Sequence, residues 1–170
     1  MKRLAMATLA IVAFACAPSD RAGPQAASAP FEKVGCREAE TPVFQCTTAM
    51  GKQVAVCAAG PGDVHFRSGT EGVQVDVTGG RWASVPYSGG GEAQIQFRDG
   101  TKRYIVYSRM VRTNFTPGEP NNPAISDGLV IIDSEGTVGV DICDDAEDLL
   151  PVQYGAAKAA MRDEGKLFLD

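Results

Sequence analysis

The residues of this sequence with the best-defined chemistry are its five cysteines, which are Cys16, Cys36, Cys46, Cys57 and Cys143. Metal binding by thiolates would require cysteines at a close spacing such as Cys-x-x-Cys, and no such pair occurs. In an exported chain the alternative chemistry is disulfide formation. The last four cysteines form an even set, for which three pairings are open.

Cys16 differs from the other cysteines because it ends a short apolar segment. A basic start and an apolar run too short to span a bilayer predict a signal peptide over residues 1–15. A cysteine directly after a small residue at this place resembles the lipobox of bacterial lipoproteins, which implies lipidation of Cys16. Ordinary signal cleavage is the alternative, because the run also ends in an Ala-x-Ala sequence.

Residues 16–33 are rich in Ala, Pro and Ser, which predicts a lipidated cysteine followed by a flexible tether. We expect a cell-envelope location, lipid-anchored at the outer membrane on the periplasmic side if the cell is Gram-negative, and otherwise secreted or periplasmic. Removal of Lys2 and Arg3 with the signal peptide takes the net charge from −5 to −7. This charge disfavours nucleic acid, limits membrane attachment to the anchor, and favours a basic partner.

The titratable residues favour binding over catalysis. His65 is the only histidine and lies on the polar side of its predicted strand, so most catalytic triads and zinc hydrolase sites are excluded. A group of acids near the C-terminus lacks the spacing of a calcium-binding EF-hand loop and suits a helix N-terminus; its members are Asp141, Asp144, Asp145, Glu147 and Asp148. We therefore expect no metal, no cofactor and no enzymatic activity.

A glycine-rich stretch is the candidate binding site. It has neither a following Lys-Ser/Thr nor a strand–loop–helix context, so a phosphate cradle is not indicated. We interpret it as a loop that presents aromatic side chains of the kind enriched at interfaces. The predicted binding loop comprises Tyr87, Ser88, Gly89, Gly90, Gly91 and Glu92, with Trp82 as a second aromatic contact.

The loop leads into the clearest structural pattern of the chain, a hairpin over residues 92–111. Apolar and polar residues alternate on its first strand, as in a sheet with one wet face. The Asp99-Gly100 pair predicts a type I′ turn. A turn centred there places Ile95 opposite Tyr104.

An earlier hairpin bears on the disulfides. Strands over residues 43–48 and 53–58 flank Gly51, which suits the first position of a two-residue type II′ turn. That register sets Cys46 opposite Cys57 and allows a bridge between them. We favour a bridge that reaches Cys143, because a longer closed loop constrains the unfolded chain more. Cys46–Cys143 would then leave Cys36–Cys57.

The whole pattern predicts an all-β fold. It is an antiparallel meander of about eight strands that forms a small barrel or sandwich, with a short C-terminal helix. A long loop is expected over residues 113–127 and a helix over about 151–164. The predicted β-barrel domain spans residues 34–143, and residues 144–170 form an acidic, partly helical tail.

Three segments resemble a group of small secreted or lipid-anchored bacterial proteins of unknown function. The residues that carry the resemblance are Phe44, Cys46, Gly51, Lys52, Cys57, then Gly89 to Glu92, Tyr104, Tyr107 and Ser108, then Gly128 to Asp133 and Cys143. In outline the chain is also similar to the periplasmic lysozyme inhibitors, whose loop carries Ser-Gly followed closely by Tyr. Here Tyr87 precedes Ser88-Gly89, so the resemblance to the inhibitors is architectural.

The function expected from these observations is that of a non-enzymatic envelope lipoprotein that binds another macromolecule. A basic protein such as a lysozyme is the partner that the resemblance and the charge imply. The alternative is a structural or stress-related envelope protein without a dedicated ligand.

Overall fold

The computed structural model describes residues 32–144 and 147–169. The predicted signal peptide, Cys16 and nearly all of the tether lie outside these residues. The described part contains nine strands and one short helix: β1 (Thr41–Thr47), β2 (Gln53–Gly60), β3 (Asp63–Gly69), β4 (Val75–Thr78), β5 (Arg81–Tyr87), β6 (Gly90–Asp99), β7 (Lys102–Arg112), β8 (Pro123–Asp133), β9 (Gly136–Ile142) and α1 (Tyr154–Ala160). The prediction of an all-β fold with a short C-terminal helix is confirmed.

The nine strands divide into two antiparallel sheets, in which each strand pairs with the next along the chain. One sheet has the order β1-β2-β3-β4 and the other β5-β6-β7-β8-β9. The change of sheet falls at Gly79-Gly80, where the chain has no side chain to hold a strand in place. Phe66 of the first sheet packs against Phe97 and Tyr104 of the second, with ring centroids 5.5 Å and 5.1 Å away. The main core therefore lies between the sheets.

The hairpin of β6 and β7 keeps its predicted core face, but its register differs from the prediction, and its polar face is not wet, since Gln94 and Gln96 are buried. Asp99 pairs with Lys102 and Ile95 pairs with Val106, so the two-residue turn is Gly100-Thr101. Positive φ occurs at Gly100 (+56°), the first turn position, as in a type II′ turn. The partner of each residue shifts by two positions, and a shift of two leaves every side chain on the same face.

The register of β1 and β2 decides the disulfides. Cys46 lies opposite Val54 rather than the predicted Cys57, because the connecting loop is longer than two residues. This shift by three positions, an odd number, places Cys46 and Cys57 on opposite faces of the sheet. Cys46 belongs to the main core and forms a disulfide with Cys143, whereas Cys57 faces outward and bonds to Cys36.

The C-terminal segment packs on the sheets at two places. Ala157 and Ala160 of α1 are buried in the main core. The helix is shorter than predicted, and its first turn holds no acid, so the expected capping by the acidic group is wrong. Beyond the helix, the backbone N–H groups of Phe168 and Leu169 donate to Gln94 Oε1 on the outer face of the five-stranded sheet, at 2.7 Å and 2.9 Å. Among the described residues, no helix is long and apolar enough to cross a membrane.

Candidate binding site

The predicted binding loop is a tight hairpin turn between β5 and β6. Tyr87 pairs with Gly90, so Ser88-Gly89 forms a two-residue turn, and Gly89 has φ +82°. A Cβ atom added to Gly90 would lie 2.0 Å from the carbonyl oxygen of Met110. Glycine is therefore required at this position by the close approach of β7. The turn at Ser88-Gly89 and the flanking residues Tyr87 and Gly90 to Glu92 therefore form a closely packed corner of the sheet, which we call the corner.

Glu92 is held inside this corner. Its side chain is 7% exposed, and its carboxylate accepts hydrogen bonds from the Tyr87 hydroxyl (2.8 Å) and Gln94 Nε2 (2.6 Å). Two effects raise the pKa of Tyr87 above its usual value: burial, which is the larger, and the hydrogen bond to the Glu92 carboxylate. Because it is engaged in this way, Glu92 positions Tyr87 and does not present a charge to a partner.

The Tyr87 hydroxyl should contribute measurably to stability through this contact. We expect Tyr87→Phe to lower the free energy of unfolding by about 1–2 kcal/mol, since it leaves a buried carboxylate with one donor fewer. Urea unfolding of Tyr154→Phe provides a matched control, because no side-chain hydrogen bond is seen for the Tyr154 hydroxyl in the described part of the chain. Equal stability losses for both variants would contradict this role of Glu92.

Trp82 is not part of the presented surface, contrary to the prediction. It is 4% exposed and belongs to the main core, where its ring meets that of Tyr154 edge-on at 5.8 Å. Trp82 and Tyr87 are five residues apart on one strand, and an odd separation puts them on opposite faces. Tyr154, which sequence reasoning missed, is the exposed aromatic residue of this pair.

Two depressions border the predicted loop, one on each side of the sheet. An outer cleft of about 660 Å³ is lined by Tyr87, Glu92, Tyr107, Arg109 and Lys166, among others. Burial raises the pKa of Tyr107. An apolar groove of about 330 Å³ lies on the other side and is lined by Gly90, Gly91, Met110, Ile125 and Tyr154, among others. The predicted binding loop therefore separates the outer cleft from the apolar groove.

The groove carries exposed apolar side chains. Met110 and Ile125 face each other across β7 and β8 and are 40% and 69% exposed. Phe115, 72% exposed, lies in the connection between these strands under the Arg112 guanidinium, 5.1 Å from the ring centre. The predicted loop over residues 113–127 is too long, because β8 begins at Pro123. Alternation along β8 sets the face on which Ile125 lies, and the register with β7 sets it opposite Met110.

The remaining candidate residues lie elsewhere in the molecule. His65 sits between Asp63 and Asp76, with each of its ring nitrogens 3.2 Å from a carboxylate oxygen. In the acidic group, Asp141 pairs with Lys52 and Asp148 accepts a hydrogen bond from Thr47.

One set of three metal-ligating residues is found in the described chain, formed by Cys36, Glu40 and Cys57. Its two sulfurs are joined in a disulfide, so they are not thiolate ligands. The two cysteines therefore belong to the covalent framework of the four-stranded sheet, and Glu40 pairs with Arg67.

No known protein family, curated protein or solved structure matches this chain.

Proposed function

We propose that this protein is a non-enzymatic cell-envelope lipoprotein that binds another macromolecule through the end of the five-stranded sheet around Ser88-Gly89. The observation that carries the proposal is the group of exposed large side chains there, which comprises Tyr87, Met110, Phe115, Ile125 and Tyr154. We call this group the apolar rim. Three of these side chains, Met110, Ile125 and Tyr154, line the same groove. Exposed apolar surface grouped in this way marks interaction sites, and Tyr, Met and Phe are enriched in interfaces.

The fixed geometry of the corner supports the same proposal. The turn is anchored by the close packing of Gly90 on β7 and by the hydrogen bonds of Glu92. A partner would therefore meet side chains that are already positioned, which lowers the entropy cost of binding. The two clefts beside the turn offer concave surface on both sides of it.

For the partner, we propose a basic protein of the lysozyme type. The net charge of −7 expected after signal cleavage would steer a basic enzyme toward this chain over long range. At the rim itself, Arg109 and Arg112 are cationic and Glu92 is buried. The contact would accordingly rest on the apolar rim, with the negative charge acting on approach.

Lysozyme inhibition and direct binding test the proposal together. We expect the purified protein, at micromolar concentration, to inhibit at least one of the chicken-type, invertebrate-type and goose-type lysozymes. Met110→Ser should weaken inhibition about tenfold, as for an interface side chain worth more than 1 kcal/mol. Met50→Ser is the matched control, because Met50 is 81% exposed in the loop between β1 and β2.

The outcomes separate the parts of the proposal. Binding without inhibition, measured by calorimetry on the same samples, would support a macromolecular partner and remove the inhibitor version. If the protein neither binds nor inhibits any of the three lysozymes, the lysozyme-type partner is refuted. Equal losses of inhibition for both methionine variants would refute the apolar rim as the binding surface. The intact mass of the processed protein tests the anchor, since a chain that starts after Cys16 carries no lipid on it.

A further inference from the structure

A second site lies on the outer face of the five-stranded sheet, apart from the apolar rim. It is a pocket of about 440 Å³ whose lining includes Arg81, Arg98, Arg103 and Lys166 around Gln96, and we call it the basic pocket. Arg81 pairs with Gln96, and Arg98 pairs with Arg103, across neighbouring strands. Four cations are thus gathered on one face of a chain whose net charge is negative.

The pairing of Arg98 with Arg103 is unfavourable unless an anion joins them. Directly opposed residues on antiparallel strands have Cβ atoms about 5 Å apart, and like charges there are destabilising. In residues 32–144 and 147–169, neither arginine forms an ion pair or a side-chain hydrogen bond with a protein group. The two guanidinium groups therefore retain their full capacity to donate to a ligand.

The floor of the basic pocket holds a further unsatisfied group. Gln96 is 3% exposed, and its Oε1 atom has no hydrogen-bond partner within the described part of the chain. By contrast, the Oε1 atom of Gln94, its neighbour on the same face, accepts hydrogen bonds from the backbone N–H groups of Phe168 and Leu169. A buried amide oxygen without a partner costs about 1–3 kcal/mol, and because this atom is closed to solvent, recognition of a ligand would rest on the arginines.

The tail fixes one wall of the basic pocket. The Arg81 guanidinium lies 5.5 Å from the centre of the Phe168 ring and 3.7 Å from a carboxylate oxygen of Glu164. Arg81 is thereby held in place before any ligand arrives. Among the residues that the structure describes, Glu164 is the single acid in the lining, against four cations. The local charge is therefore strongly positive, and more distant acids are screened beyond about 8–10 Å at physiological ionic strength.

We propose that the basic pocket binds a phosphate monoester. Guanidinium forks match the oxygens of phosphate bidentately, and two forks side by side suit a dianion. This site is distinct from the apolar rim, since its three arginines lie on another part of the sheet; Lys166 lines both the outer cleft and the basic pocket.

Calorimetric titration of the purified protein with glucose 6-phosphate tests the site. We expect saturable binding of this ester, no binding of glucose, and binding of glucuronate at least about tenfold weaker, because a carboxylate offers fewer oxygens and one charge. Arg98→Gln and Arg103→Gln should each weaken binding at least about tenfold. Lys102→Gln, which removes the same charge beside Arg103 but outside the pocket lining, should change it less than about threefold.

A thermal melt without ligand guards against a folding artefact. Arg98→Gln should unfold at the same temperature as the wild type or higher, since it removes the repulsion between opposed arginines. The proposal is overturned if glucose 6-phosphate does not bind saturably, if glucuronate binds as tightly, or if Lys102→Gln weakens binding as much as Arg103→Gln.

The source of the phosphate is distinguished with vesicles. We would measure sedimentation with vesicles of phosphatidylcholine with and without phosphatidic acid, in the presence and absence of glucose 6-phosphate. Binding to phosphatidic acid that glucose 6-phosphate displaces supports a lipid headgroup as the ligand. Binding of the soluble ester without vesicle binding supports a free phosphorylated molecule. Vesicle binding that the ester does not displace counts against the basic pocket as the phosphate site.

Discussion

Replacing Cys46 and Cys143 together by alanine should lower the free energy of unfolding by about 4.7 kcal/mol, and replacing Cys36 and Cys57 by about 3.4 kcal/mol. The difference arises because the first bridge spans 97 residues and the second spans 21, and a longer closed loop restricts the unfolded chain more. Both pairs undergo the same chemical change, and each contains one fully buried cysteine, so the packing losses are similar.

The position of the longer bridge adds to this effect. Cys46 lies on β1 of one sheet, and Cys143 directly follows β9 of the other. The backbone of Cys143 also forms an isolated antiparallel β-bridge with Thr48. Without the bond, the first and last strands lose their covalent link across the core. Urea unfolding of the two double variants measures the order, and a Cys36–Cys57 loss that equals or exceeds the other would contradict it.

The alternation of apolar and polar residues predicted the face of a side chain correctly only where the predicted strand register was wrong by an even number of residues. In the hairpin of β6 and β7 the turn was misplaced by one residue, so partners moved by two and Ile95 and Phe97 remained in the core. Between β1 and β2 the partners moved by three, and the predicted juxtaposition of Cys46 with Cys57 failed. The favoured pairing through Cys143 is nevertheless the one observed.

The candidate site was only partly predictable. The turn at Ser88-Gly89 follows from local glycine preferences, and the structure places it between two concave surfaces. Met110 and Ile125 come from strands joined by a ten-residue connection, so their meeting depends on a register that no local pattern sets. The packing of the tail on Gln94 is a contact over 74 residues, which periodicity does not encode.

The least predictable contact is the buried ion pair on the outer face of the four-stranded sheet. Arg67, 1% exposed, donates from both terminal nitrogens to the carboxylate of Glu40, at 2.7 Å and 2.8 Å. It also donates to Asp76 (3.2 Å) and to the carbonyl oxygen of Gly35 (3.1 Å). Residues 35–40 therefore cover a charge that strand alternation places on the solvent side. The segment is irregular, so its position could not be deduced from the sequence.

Removing this arginine should be strongly destabilising. We expect Arg67→Met to lower the free energy of unfolding by about 3–5 kcal/mol, because it leaves the Glu40 carboxylate, 5% exposed, without its cation. Arg37→Met is the matched control, since Arg37 pairs with Glu32 at 2.9 Å between side chains that are more than half exposed. Such exposed pairs contribute about 1 kcal/mol or less. Similar losses in urea unfolding would show that the Arg67 pair is not effectively buried.

The same contact predicts how stability depends on pH. Hydrogen bonding to Arg67 lowers the pKa of Glu40 from 4.5 to about 2. A lowered pKa in the folded state means that the carboxylate stabilises the fold above pH 4.5, and that this stability is lost as the pH falls through about 2. The shift corresponds to about 3 kcal/mol. In Glu40→Gln the amide does not titrate, so the loss of stability between pH 4.5 and 2 should be smaller than in the wild type by about that amount. Urea unfolding across this range compares the two proteins, and parallel pH profiles would mean that Arg67 does not hold the Glu40 charge in the folded state.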